Sequence, residues 1–315
     1  MSTIPPFLVV GAAKTGPPHM SPSFTSMRCT LELQISMTTV SIITVSYNSA
    51  ETIRDTIESV RRQTYPHIEY IIVDGGSTDG TVDIIKENEE VIDRWVSEPD
   101  EGIYDAMNKG IRAASGQLIG ILNSDDLYLP HTVDLVVRAY DESSEPCVVY
   151  GDMIKFDSHG RETYHEGDLT DEAFESLNLQ LNHPTCFVAR TVYERHGGFD
   201  TRFEVGADRE LMLRLDNAAV PRVHVNKTLA HFRLGGATSG STLSDAVWLS
   251  WQNWVMYRRH SVPIKNAVVD VCYNFFRRLA KSVLSLQQLR RIKEFLLKTP
   301  VGRITWRNES SSISP

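Results

Sequence analysis

The sequence predicts an α/β fold: a mostly parallel sheet flanked by helices, with an amphipathic helical extension on the C-terminal side. Three observations predict it. Between residues 38 and 150, short β-rich apolar runs alternate with stretches of helical period, as strand–helix–strand units do. The runs "EYIIVD" and "LIGILN" pass straight into "GGSTDGT" and "SDD", turn-forming segments where a strand must end. Beyond residue 267 the apolar positions Val268, Cys272, Phe275, Leu279, Val283 and Leu286 fall on one helical stripe, with Arg277, Arg278 and Lys281 elsewhere.

At 315 residues, with 41% hydrophobic and 23% charged content, the chain has ample core for an ordinary globular protein. Its net charge of −8 argues against a general nucleic-acid binder. The charge is unevenly spread. From Arg258 onward there are 12 Lys or Arg against three acids, a net +9, which leaves −17 on the preceding 257 residues. A basic tail on an acidic body suits an anionic partner, and a membrane surface is one. The four cysteines match no metal-ligand spacing and fit a reducing compartment. The most apolar stretch, "NAVVDVCYNFFRRLAKSVLSL", carries too many charges to span a bilayer.

In chain order, residues 1–36 show Pro and Ser clusters and no sustained period, as expected of a disordered extension, with Met37 the natural start. Within them "FLVVGAAKTG" resembles the opening strand and phosphosulfate loop of sulfotransferases. The resemblance covers about ten residues, and "PPHMSP" follows where a helix would be needed to hold the anion. "VSIITVSY" is the first strand. "SAETIRDTIESVRRQ" is the first helix, with Ile53, Ile57 and Val60 inward and Ser49 as a candidate cap. "EYIIVD", a glycine-rich turn and "TVDIIKEN" repeat the unit, and "EPDEGIYDAMNKG" reads as a loop entering a helix. "VVYGDMIKFDSHGRETYHEG" reads as two strands joined at "DSHG", and "GADRELMLRLDNA" as a helix with Leu211, Met212 and Leu215 inward.

Asp125 and Asp126 pose the chemical question. They end the apolar run Leu118–Leu122, and adjacent carboxylates there are costly unless a cation lies between them. The alternative is a helix cap before "LYLPHTVDLVV".

Seven segments, in order from Val40 to about Gly236, resemble glycosyltransferase family 2: "VSIITVSYN", "IEYIIVDGGSTDGT", "SEPDEGIYDAMNKGI", "GILNSDDLY", "NHPTCFVAR", "GGFD" and "GADRELMLRL". The third is similar to the subgroup that builds bacterial surface polysaccharides, the colanic-acid type. The resemblance implies the GT-A fold, a Rossmann-like sheet. It also implies an enzyme that moves one sugar from a UDP- or GDP-linked donor to a hydroxyl, with a lipid-linked saccharide as acceptor. A non-catalytic sugar-nucleotide-binding module is the alternative, because Gly75 and Ala207 stand where many relatives carry acids.

On that resemblance Asp74 would accept a base N–H with the ring near Tyr47, or cap its own turn. Asp105, Asn108 and Lys109 would lie beside the donor, or form a solvated helix face. The segment Ser124-Asp125-Asp126 matches the family's DxD-like motif. Asp126 would bind Mn²⁺ or Mg²⁺, and Asp125 the ribose or a metal-bound water. Asp208 would deprotonate the acceptor, or serve only as a first-turn helix acid. His183 would line the acceptor side, and His231 would approach the metal from a glycine-bearing mobile loop. Arg214 is expected in an ion pair.

The expected organisation is an extension over 1–36 and one domain over 37–240, with a nucleotide-binding half (38–150) and an acceptor half (151–240). A basic helical region (241–307) and a tail (308–315) follow. Such a protein would be cytoplasmic, held peripherally at the inner membrane face through its basic helix. "WLSWQNWVMYRRH" resembles, loosely, the tryptophan motif of processive synthases without its residue order, so single-sugar transfer is the expectation.

Overall fold

The computed structural model describes residues 37–235 and 243–283, with side chains placed for 37–235 and 247–275. The expectations for residues 1–36, for the glycine-bearing loop past Gly235 and for the chain past Val283 lie outside the described residues.

Strands β1 (Val40–Ser46), β2 (Ile68–Asp74), β3 (Arg94–Ser97) and β4 (Leu118–Asn123) run parallel in the order β3-β2-β1-β4. Their registers level the carboxyl ends. Ser46 lies opposite Asp74, Asp74 opposite Ser97, and Val45 opposite Asn123. The loops that follow all four therefore open along one edge, where ligands gather in such sheets. Because both faces are covered, the central strands are buried almost without interruption and mostly apolar. Ile42, Ile43, Ile71, Ile72, Ile119 and Leu122 are buried, each worth about 1.5–3 kcal/mol relative to exposure.

Helices α1 (Ile53–Arg61), α2 (Thr81–Lys86) and α3 (Ile103–Ala113) cross between these strands. α1 buries Ile53, Ile57 and Val60, the positions its period predicts. Ser49 does not cap it through its side chain. Its carbonyl accepts from Ile53 N, while its hydroxyl accepts from Ser124 Oγ at 2.7 Å and so ties the β1 loop to the Asp125–Asp126 loop. α3 lies hard against β1. A Cβ on Gly110 would stand 2.3 Å from Ile43 Cγ2, so only glycine permits that approach.

The second half is mixed. β5 (Leu127–Tyr128), α4 (Thr132–Asp141), β6 (Val148–Phe156), β7 (Glu162–His165), α5 (Asp171–Ser176), β8 (Phe187–Ala189), α6 (Arg190–His196), α7 (Ala207–Asn217) and β9 (Arg222–Arg233) follow in turn. The sheet continues β4-β8-β6-β9-β5, with β7 beside β6. The β6–β9 pair is parallel and the remaining pairings in this half are antiparallel. The "DSHG" hairpin forms, and α7 buries Leu211, Met212 and Leu215. β5 folding back onto β9 brings the end of β9 to the loop after β4.

α8 (Leu243–Arg259) and α9 (Ile264–Val283) pack together, joined by the Tyr257 hydroxyl donating to Asp270 Oδ2 at 2.7 Å. His260 and Arg259 fasten α8 to Glu210 and Asp200. Of the predicted stripe, Val268 and Cys272 are exposed and Phe275 is half-buried, while Ala267 and Val271 face the domain. The side chains of Leu279 and Val283, and Leu286 itself, lie outside the described residues. Among these residues no helix is long and apolar enough to cross a membrane.

Candidate active site

Asp74 is fully buried at the end of β2. Its register neighbours donate to it from both sides, Ser46 Oγ at 2.9 Å and Ser97 Oγ at 2.7 Å. Gly76 N, Ser77 N and Ser77 Oγ complete the set at 3.1, 2.9 and 2.5 Å. Burial works against the charge, but the donors from Ser77, Ser97 and Ser46 outweigh it and hold the carboxyl below its ordinary value. Five donors fill a carboxylate with about four lone-pair sites. Asp74 thus builds the turn, the alternative its position allowed, and its lone pairs are engaged within the protein. Tyr47, which follows β1, is 66% exposed at the same edge.

The residues expected beside the donor from α3 hold loops. Lys109 Nζ bonds Pro99 O at 3.1 Å and pairs with Glu98 and Asp105 at 2.9 and 3.5 Å. Asp105 also accepts from Glu101 N. Together they fix residues 98–102. Asn108 is committed elsewhere: its amide donates to Phe199 O and accepts from Phe199 N, both at 2.8 Å.

Asp125 and Asp126 do not cap α4, which starts at Thr132 with His131 before it. Asp126 is fully buried and Asp125 half-buried. Burial, and then the charge of Asp125, push the Asp126 carboxyl well above its ordinary value, against the opposing donors Arg233 N and Asn123. Burial raises Asp125 as well, with Arg233 opposing. The strand pairing delivers Arg233, whose backbone N–H reaches Asp126 Oδ1 at 3.1 Å. Its guanidinium turns to Asp125 O and to Asp55 instead, so no cationic side chain bonds the Asp126 carboxylate among the described residues. Asn123 Nδ2 lies 3.4 Å from Asp126 Oδ2, and the buried Asn123 Oδ1 has no partner.

This donor set fits Mn²⁺ or Mg²⁺: hard oxygens, two carboxylates left short of positive charge, and an orphaned amide oxygen beside them. No described group of three or more His, Cys, Asp or Glu forms a cage. Such ions commonly take one or two carboxylates and complete their shell with phosphate and water. Of the two aspartates expected at the metal, the half-buried Asp125 is the one nearer solvent and Asp126 lies deeper. His231 packs near Phe156, ring centroids 6.2 Å apart, and Arg233 two residues on meets the aspartates.

Asp208 opens α7, after Gly206 in a left-handed conformation. Its Oδ1 accepts from Arg209 N at 2.8 Å and lies 3.5 Å from the Tyr104 hydroxyl, which itself accepts from Gly206 N. His183 lines the same narrow cavity as Asp208, with Cys186, Phe199 and Ile121. Burial lowers the imidazole pKa of His183, while the Asp208 charge acts the other way. Burial and then Asp208 push the Cys186 thiol up to about 12, which makes it inert. Arg214 pairs with buried Glu210 at 2.8 Å, as expected. Asp100, Tyr104 and Arg233 are the functional candidates that sequence reasoning passed over. Tyr104 and Asp100 lie inside "SEPDEGIYDAMNKGI", and Arg233 lies two residues past His231.

The sequence model described as glycosyl transferase family 2 matches residues 41–197. The chain is 34% identical over 204 residues to an uncharacterized glycosyltransferase of Mycobacterium tuberculosis, covering 64% of this chain and 77% of that protein. It is 44% identical over 90 residues to a putative teichuronic acid biosynthesis glycosyltransferase, TuaG, of Bacillus subtilis, covering 28% of this chain and 36% of that one. Among solved structures it resembles residues 1–349 of S. aureus TarS bound to UDP-GlcNAc, with TM-score 0.59, 15% identity and 83% and 82% of the two chains covered. It spans only 46% of the longer TarS chain. A mannosyltransferase of Pyrobaculum calidifontis, solved with GDP-Man and Mn²⁺, matches at TM-score 0.55 and 18% identity over 87% of this chain and 84% of that one. These likenesses carry the fold, the GT-A arrangement expected.

Proposed function

Because the chain belongs to glycosyltransferase family 2, we propose that it moves one sugar from a UDP- or GDP-linked donor to a hydroxyl of a lipid-linked saccharide in polysaccharide biosynthesis. The observation that carries this reading is the buried Asp126 beside Asp125 at the carboxyl edge of the sheet, two carboxylates to which no cationic side chain is bonded among the described residues.

Asp125 and Asp126, with Asn123 Oδ1 beside them, would hold Mn²⁺ or Mg²⁺. A bound divalent ion neutralises charge on a departing diphosphate. The chain's own residues account for the rest. Tyr47 offers an exposed ring at the nucleotide end of the edge. Asp208, half-buried and fixed through Arg209 N, accepts the acceptor's proton through its remaining oxygen. His183, kept toward its neutral form by burial, lines the acceptor side of Asp208. One base acting in one displacement inverts the anomeric carbon.

The acceptor's class agrees with the surface of α8 and α9. Val247, Trp248, Trp251, Ile264, Val268 and Val269 are exposed on these two helices, as are Arg258 and Lys265. Apolar and tryptophan side chains among cations suit an anionic lipid interface. Sedimentation with anionic vesicles tests this part, and absence of binding removes it. The central reading is tested by a sugar-nucleotide panel with Mn²⁺. Thermal stabilisation by one UDP- or GDP-sugar, with transfer that EDTA abolishes, is expected. A folded protein that ignores every donor overturns it.

A further inference from the structure

We infer that Asp100 is the residue that reads the donor's base, and that it selects bases carrying a ring N–H, uracil or guanine, over cytosine and adenine. The inference rests on the sugar-nucleotide reading above and goes beyond it by assigning the specificity to one side chain.

Three loops meet at the edge of the parallel strands. Tyr47 follows β1, Gly75 follows β2, and Asp100 belongs to the loop after β3. A Cβ on Gly75 would stand 2.6 Å from Asp100 Oδ2 and 3.3 Å from Tyr47 Cδ2. The Asp100 carboxyl therefore fills the room a side chain at 75 would take, beside the edge of an exposed aromatic ring. The acid missing from position 75 is present in space, supplied from the next loop.

Asp100 is placed rather than mobile on its stem. Its Oδ1 accepts from Gly102 N at 2.8 Å. The loop is pinned by Lys109 to Pro99 O and Glu98, and by Glu98 N to Asp74 O at 3.0 Å. Asp100 Oδ2 has no donor among the described residues, whereas the Asp74 carboxylate at the end of β2 already accepts from five. Of the two acids Asp74 and Asp100, which follow one another across β2 and β3, Asp100 is thus the one with an oxygen left for a ligand.

A carboxylate only accepts hydrogen bonds. Uracil N3–H and guanine N1–H can donate to it with the ring lying by Tyr47. Cytosine N3 and adenine N1 would present a lone pair to a negative oxygen. Sites built for one hydrogen-bonding pattern reject the mismatched one strongly, because a buried polar group is left unpaired.

The test is calorimetric binding of UDP, GDP, CDP and ADP to the full chain with Mn²⁺. Wild type should prefer UDP or GDP. Methylating the ring nitrogen of the preferred ligand (N3-methyl-UDP or N1-methyl-GDP) should weaken it about 10- to 100-fold, the worth of a hydrogen bond to a charged group. Asp100→Asn keeps an oxygen for Gly102 N and puts an N–H where Oδ2 stands. It should lose a similar factor and no longer discriminate against the methylated ligand. The double variant Gly75→Asp/Asp100→Gly, which moves the carboxylate back to β2, should recover binding. Unchanged UDP and GDP affinity in Asp100→Asn, or equal binding of methylated ligand by wild type, overturns the inference and leaves the transferase reading standing. A folded wild type that binds none of the four diphosphates overturns both.

Discussion

The Tyr104 hydroxyl, on the first turn of α3, lies 3.5 Å from Asp208 Oδ1, on the first turn of α7. The two residues are 104 positions apart in the chain, and each comes from a different half of the domain. Tyr104 also accepts from Gly206 N at 3.1 Å, so one phenol ties the approach to α7 and the candidate base together. Burial, then the Asp208 charge, raise the phenol's pKa, so it stays a neutral donor.

Two substitutions separate the roles at this contact. Asp208→Asn should bind donor as the wild type does while transfer falls by about 10²–10⁴, the usual contribution of a positioned base. Tyr104→Phe should act more mildly on the turnover number and leave donor affinity alone, because it loosens the base without removing it. Steady-state transfer alongside calorimetric donor binding checks both. Full transfer by Asp208→Asn refutes the base role.

Asp74 should behave as a structural acid. Asp74→Ala leaves Ser46, Ser77 and Ser97 without their common acceptor at a fully buried point, and should cost about 3 kcal/mol or more. The folded carboxyl sits below its ordinary value, so its stabilisation is present above the unfolded pKa of about 3.9. It is lost as pH falls through the lower folded value. Urea unfolding of wild type and variant from pH 7 downward checks this: the gap should narrow only in acid.

The first half of the fold was legible because its signals are local. The β2 run "EYIIVD" and the glycine-rich turn after it lie within 13 residues, and the α1 face repeats every turn. The Asp125–Asp126 pair could be read for the same reason, as adjacent charges ending an apolar strand. What could not be read depends on partners brought by the sheet. Asp74 looked like a free strand-end acid until register set Ser46 and Ser97 on either side. Arg233 reaches Asp126 only because β5 pairs with β9. Asn108 resembled a ligand-facing residue, yet its amide closes on the backbone of Phe199, 91 residues away. A single sequence carries no signal for contacts of that range.

Glu210, two residues past Asp208, should be the post that holds α8 to the domain. It is buried, with His260 Nε2 at 2.9 Å and Arg214 at 2.8 Å. Removing one member of a buried pair strands the others, so Glu210→Ala should cost about 3–5 kcal/mol. Burial raises the Glu210 carboxyl, and His260 and Arg214 outweigh that and hold it below its ordinary value. The stabilisation is therefore present above the unfolded pKa of about 4.3 and lost as pH falls through the folded value. Thermal melts between pH 3 and pH 7 check the sign. A variant as stable as wild type at neutral pH would refute the assignment.

Asp126 should show the opposite sign, and that contrast is the sharpest test of the metal reading. Its carboxyl is raised by burial and by Asp125, so in the protein alone it favours the proton. Its stabilising contribution is complete below the unfolded pKa of about 3.9 and is lost as pH rises through the higher folded value. At neutral pH the charged pair is a net cost, which Asp126→Asn relieves. Without ligands that variant should melt at or above wild type near pH 7. With Mn²⁺ and a nucleoside diphosphate, wild type should gain stability and the variant should not, since a neutral amide gives up the charge that attracts the ion. Donor binding by wild type should also fade on acidification at a pH above the ordinary carboxylate range, where protons compete for the raised carboxyls. A variant destabilised without ligand yet stabilised by Mn²⁺ and diphosphate as fully as wild type would give Asp126 a purely structural task.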